Sequence, residues 1–172
     1  MKILIYHPSK QHIYKLLEGL SQNNIPYVFY TGLYHGCKIP FLLKPISSYL
    51  KRHRSSKNIP VNTVQCITPW HEFLFSLWAK TGLFLRTRNK ALFEKQRSFQ
   101  HKLLHTANFD NITHVITFHT NAFYLYPALK EKNFRGHLII EATQPHPRWI
   151  MQIYEEYIKY SKYFPSTILR KW

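Results

Sequence analysis

The sequence predicts an α/β fold built on a mainly parallel sheet with helices on both faces. Two stretches carry that expectation. In the first, residues 3–6 read as a buried strand. Ile13, Leu16, Leu17 and Leu20 then repeat at i, i+3, i+4 and i+7, one face of a helix ending near Asn23 and Asn24, and YVFYT follows Pro26 as a second strand. In the second stretch, Val115–Phe118 and Leu138–Ile140 are strand-like in their β-branched content. Ala122, Leu125, Tyr126 and Leu129 between them form another helical face, with Gly136 as the helix stop. Crossovers of this length make the flanking strands parallel neighbours joined right-handedly. Two copies of the pattern define a Rossmann-like three-layer sandwich.

The chain between these units is less regular. Residues 44–57, KPISSYLKRHRSSK, read as a mobile or surface basic segment, and NTVQCI at 62–67 as a third strand. An aromatic run follows Pro69, with Trp70, Phe73, Phe75, Trp78 and Phe84, and then Arg86, Arg88 and Lys90. Residues 89–108 read as a helix with Leu92, Phe99, Leu103 and Ala107 inward, and residues 108–111 as a turn. Ile150, Ile153, Tyr154, Tyr157 and Ile158 form a last helical stripe. A length of 172 residues fits one domain, 1–172. The abrupt end at ILRKW reads as a cut from a longer protein.

Composition narrows the partners. Apolar residues make up 45% of the chain and aromatics 16%, which excludes a disordered polymer. Lys and Arg number 24 against eight acids, a net charge of +16, so the expected partners are polyanions: nucleic acid, an anionic membrane face, or phosphate-bearing ligands. No acidic residue occurs from Gly19 to His71, where Lys38, Lys44, Lys51, Arg52, Arg54 and Lys57 accumulate. Two cysteines, Cys37 and Cys66, suit free thiols in a reducing compartment. MKILIYHP is too short for a signal-peptide core, and Phe73–Leu85 falls short of a bilayer span. The expected location is cytoplasmic.

Several chemistries lack their motifs. No GxGxxG or GxxxxGK[ST] loop occurs, nor CxxC, HExxH or GxSxG. His101 and His105 are one helical turn apart, but with no third ligand indicated they read as solvated histidines, and no metal site is expected. For the basic, aromatic-interleaved region three readings stay open. It is a solvated face; or it attaches peripherally to a membrane through Lys51, Arg52, Arg54, Lys57 and Trp78; or, least supported because no recognition module accompanies the charge, it binds nucleic acid. His119 and His146 stand out because each follows the end of a strand in the second unit, with Asn121, Glu141 and Arg148 close in sequence. Carboxyl ends of parallel strands are where open α/β sheets bind ligands.

LIIEATQPHPRWIMQIYEEY, preceded by VITFHTNAFYLYPALKEKNFRG, resembles the amino-terminal domain of GT-B-type glycosyltransferases of family four. The likeness lies in the order of parts: a strand ending in histidine, a helix, a Lys-to-Gly stop, a strand ending in glutamate with His-Pro beyond it, and a helix carrying Glu155 and Glu156. It covers about residues 110–160, and the family's glycine-rich first loop is replaced here by HPSKQH. The resemblance implies the acceptor-side half of a two-domain enzyme. Such an enzyme moves a sugar from a nucleotide-sugar to a hydroxyl of a glycan or lipid-linked acceptor, in glycan or cell-envelope biosynthesis, with no obligatory metal or other cofactor. A carboxyl-terminal donor-binding domain would be its partner, and this half alone would be inactive. On the same basis His146 and Glu141 take the catalytic positions, and His119, Asn121, His7 and Arg148 line the acceptor side. The competing class is a non-catalytic basic α/β module that binds nucleic acid or anionic membrane.

Overall fold

Five short strands form one all-parallel sheet in the order β3-β2-β1-β4-β5. They are β1 (Ile3–Tyr6), β2 (Tyr27–Thr31), β3 (Val64–Cys66), β4 (His114–Phe118) and β5 (His137–Glu141). The helices are α1 (Ile13–Gln22), α2 (Ser47–His53), α3 (Pro69–Thr81), α4 (Arg88–Thr106) and α5 (Leu125–Glu131). The computed structural model describes residues 2–8, 13–37, 47–81, 88–118 and 121–141, with side chains omitted at 78–81 and 88–90. These residues all belong to one unit, Met1–Glu141. The helix expected over 150–158 lies outside the described residues.

Strand alternation sorts the core into two layers. Leu4, Tyr6, Val28, Tyr30 and Val115 point to one face, where Phe99 and Leu103 of α4 and Leu125, Tyr126 and Leu129 of α5 cover them. Ile3, Ile5, Tyr27, Phe29 and Val64 point to the other, under Ile13, Tyr14, Leu17 and Leu20 of α1. The side-chain period of two in a strand produces this division, and buried flanks on both faces explain the unbroken apolar runs of β1 and β2. The α/β three-layer sandwich expected from the sequence is the fold observed. A smaller cluster, Leu33, Leu50 and partly buried Phe73, joins α2 to α3 outside the main layers.

Two stretches left without an element in the sequence prove helical, and one helix stop is corrected. Within the basic surface segment Ser47–His53 is helical, held by its one buried residue, Leu50. The aromatic run after Pro69 is the helix α3. The stop of α5 is Asn133, in the left-handed region at φ 55°, rather than Gly136. Gly136 serves packing instead. A Cβ there would lie 2.6 Å from the Thr113 carbonyl oxygen, which accepts the His137 N–H at 2.8 Å and sets the entry to β5.

Candidate functional site

The strand order places a topological switch point between β1 and β4, because the chain leaves β1 toward β2 on one side and reaches β4 on the other. A crevice outside the carboxyl ends at such a point is the usual ligand site of open α/β sheets. Two side-chain bonds tie its walls together. The Thr117 hydroxyl donates to the Tyr6 carbonyl at 2.9 Å, and the Tyr6 phenol donates to the Asn121 carbonyl at 2.6 Å. Burial raises the Tyr6 phenol well above its ordinary ionisation range, so it stays a donor. His7 follows directly, its ring edge-on to Phe118 at 5.2 Å and its N–H donating to the Tyr30 carbonyl at 3.0 Å.

His7 and Asn121 follow the ends of β1 and β4, on the two sides of this switch point, and both are buried. Glu141 closes β5, half-buried and in register with Phe118 of β4, so its strand end borders the same row. His119, His146 and Arg148 lie outside the described residues.

An ion cluster that no local pattern announces lies beside this row. Glu72, in the first turn of α3, is 2% exposed and accepts from the Arg54 Nη2 and the Lys95 Nζ, each at 2.8 Å. Lys95 also stands 4.2 Å above the centre of the Phe75 ring. Buried charges persist only when paired, and this arrangement turns Arg54 inward. Arg54 thus departs from the surface position expected of it, whereas Lys51, Arg52 and Lys57 are exposed. The Trp78 side chain lies outside the described residues. Gly32, after β2, fits between this cluster and the crevice: a Cβ there would sit 2.7 Å from both the Glu72 Cβ and the Pro8 carbonyl oxygen.

Three further features were invisible in the pattern. Gln100, fully buried on α4, accepts the backbone N–H groups of Tyr124 and Leu125 at 3.0 and 2.9 Å, and so caps α5, which has no side-chain cap of its own. Cys37 and Cys66 hydrogen-bond to each other, which lowers the Cys37 ionisation and raises that of Cys66. Trp70, Leu74 and Leu77 form an exposed apolar stripe along α3, with exposed Tyr49 on neighbouring α2. His101 and His105 are exposed with ring centres 4.6 Å apart, and among the described residues no group of three or more His, Cys, Asp or Glu side chains converges. No described helix is long and apolar enough to cross a membrane.

Compared with known proteins, the chain matches no family model, no curated protein and no solved structure.

Proposed function

We propose that this chain is the acceptor-side half of a GT-B-type glycosyltransferase that works at the cytoplasmic face of an anionic membrane. The observation that carries the reading is the row of strand ends. His7 and Asn121 flank the switch point, and Glu141 ends the next strand in register with Phe118. The sequence likeness assigns substrate-facing roles to these same three residues, and to His119, His146 and Arg148 in the adjoining chain. In this reading a nucleotide-sugar, held by a carboxyl-terminal domain, loses its nucleoside diphosphate to an acceptor hydroxyl. The protein contributes positioning and stabilisation of the charge that develops. No metal or cofactor takes part.

The membrane part of the reading is supported by α2 and α3. Trp70, Leu74 and Leu77 offer apolar and aromatic side chains to an interface, and Lys51, Arg52 and Lys57 lie exposed in the neighbouring segment. Each basic residue close to an anionic surface contributes on the order of 1 kcal/mol, and the stripe adds burial that a neutral surface would also reward.

The test is a nucleotide-sugar panel with the full-length protein and membrane extracts as acceptor source. Donor-dependent transfer, lost in His146→Ala and reduced in Glu141→Gln, supports the enzyme. Turnover unchanged in both variants removes them from the site, and no turnover of any donor rejects the transferase class. Sedimentation with vesicles tests the membrane part. Binding to vesicles with anionic lipid, weakened by salt and by Lys51→Glu with Arg52→Glu, is expected; equal binding to neutral vesicles rejects it.

A further inference from the structure

A pocket of about 270 Å³ opens between α2 and α3, lined by Leu33, Leu50, Phe73, Ser76, Leu77 and Arg54. Tyr49 completes the lining, and the walls are apolar apart from its phenol, the Ser76 hydroxyl and the Arg54 guanidinium. Arg54 is anchored at both levels. Its backbone N–H donates to the Leu50 carbonyl at 2.7 Å, its carbonyl accepts from His35 at 2.9 Å, and its Nη2 holds Glu72. Lys95 takes the second oxygen of Glu72, so the carboxylate cannot give Arg54 the two-point contact its planar fork favours. The other terminal nitrogen, Nη1, is buried and has no hydrogen-bond acceptor.

A guanidinium does not lose its proton in a protein, and a buried charged donor without an acceptor is costly. The guanidinium lines the pocket, and its positive charge favours a partner that brings an anionic oxygen there. The walls set the rest of the partner: an unbranched apolar body suits Leu33, Leu50, Phe73 and Leu77, and a polar one does not. The volume falls just below the usual range of ligand sites, roughly 300–1,000 Å³, and so favours one slim chain over a nucleotide.

We propose that the α2–α3 pocket binds a single anionic amphiphile, an acidic head on Arg54 and an apolar chain along Leu33, Leu50, Phe73 and Leu77. The acidic head is a carboxylate or a phosphate monoester. The assignment rests on the pocket and its arginine alone and holds whether or not the chain is a transferase.

The test is calorimetry on the full chain with dodecyl phosphate below its micelle-forming concentration, beside dodecanoate, dodecanol and inorganic phosphate. One molecule of dodecyl phosphate or dodecanoate binds per chain, at least tenfold more tightly than dodecanol or inorganic phosphate. Equal affinity for dodecanol overturns the role of the charge, and equal affinity for inorganic phosphate overturns the amphiphile in favour of a free anion. Arg54→Gln weakens binding of dodecyl phosphate at least tenfold and leaves dodecanol unchanged. Because that variant also breaks the bond to Glu72, Ser76→Phe supplies a second arm. It fills the lumen without touching the ion cluster and abolishes binding, and unchanged binding in Ser76→Phe rejects the pocket.

Discussion

The phenol of Tyr6 reaches across the end of the sheet to the backbone carbonyl of Asn121, 2.6 Å away and 115 residues later in the chain. This bond closes the switch point over the core, since Tyr6 is fully buried against Phe99 and Tyr126. Replacing Tyr6 by Phe keeps the ring packing and removes the donor to a buried carbonyl. The expected cost is about 1–3 kcal/mol, read as a lower urea midpoint with an unchanged slope. Amide exchange near Asn121 should rise more than exchange in α1; a uniform rise throughout would place the bond outside the crevice's local stability.

Glu72 is the centre of its ion cluster. Glu72→Gln leaves Arg54 and Lys95 facing a neutral amide, and breaking a buried pair in this way costs roughly 3–5 kcal/mol. Lys95→Met leaves the Arg54 pair intact and should cost less. Thermal or urea unfolding of both variants checks the order, and a larger loss in Lys95→Met would shift the centre to Lys95.

Burial raises the phenols of Tyr6, Tyr14 and Tyr126 above the ordinary value of 10.0. Above about pH 10 the unfolded chain has released these protons while the native state still holds them. The native state then binds more protons, so stability falls as pH climbs, and these groups contribute no change below that range. Tyrosinate absorbance should accordingly rise steeply, together with loss of the near-ultraviolet circular dichroism. Smooth ionisation of every tyrosine near pH 10 with the fold intact would contradict the burial.

The two thiols should differ in reactivity. The Cys66 S–H donates to Cys37 and favours its thiolate, while that same bond, and after it burial, hold Cys66 protonated. Iodoacetamide at neutral pH should label Cys37 first, as mapped by peptide mass spectrometry. Cys66→Ala removes the donor, raises the Cys37 ionisation and slows that labelling; faster labelling would reverse the assigned roles.

The periodic parts of the fold were legible because they bury one face. Ala122, Leu125, Tyr126 and Leu129 are all buried at the spacing the sequence shows, as are Ile13, Leu17 and Leu20. Helix α3 escaped because it is apolar on two sides, with Phe73 inward and Trp70, Leu74 and Leu77 outward, so no period emerges. Helix α4 hid its chemistry by turning Lys95 and Gln100 inward, where sequence reasoning places apolar residues. The ion cluster joins residues 18 and 23 positions apart through tertiary packing, which no local pattern encodes. Of the candidate site, the strand-end positions His7, Asn121 and Glu141 could be read from the βαβ pattern, and the inward turn of Arg54 could not.

The central place of β1 has a consequence for synthesis. One edge of β1 is taken by β2 soon after both leave the ribosome, but the other waits for β4, and Thr117 is 111 residues downstream of the Tyr6 carbonyl it bonds. At roughly 5–20 residues per second the delay is on the order of ten seconds. Throughout that interval an apolar strand stands with open backbone groups beside a lengthening, strongly basic chain, the kind of edge that chaperones shield and other strands invade.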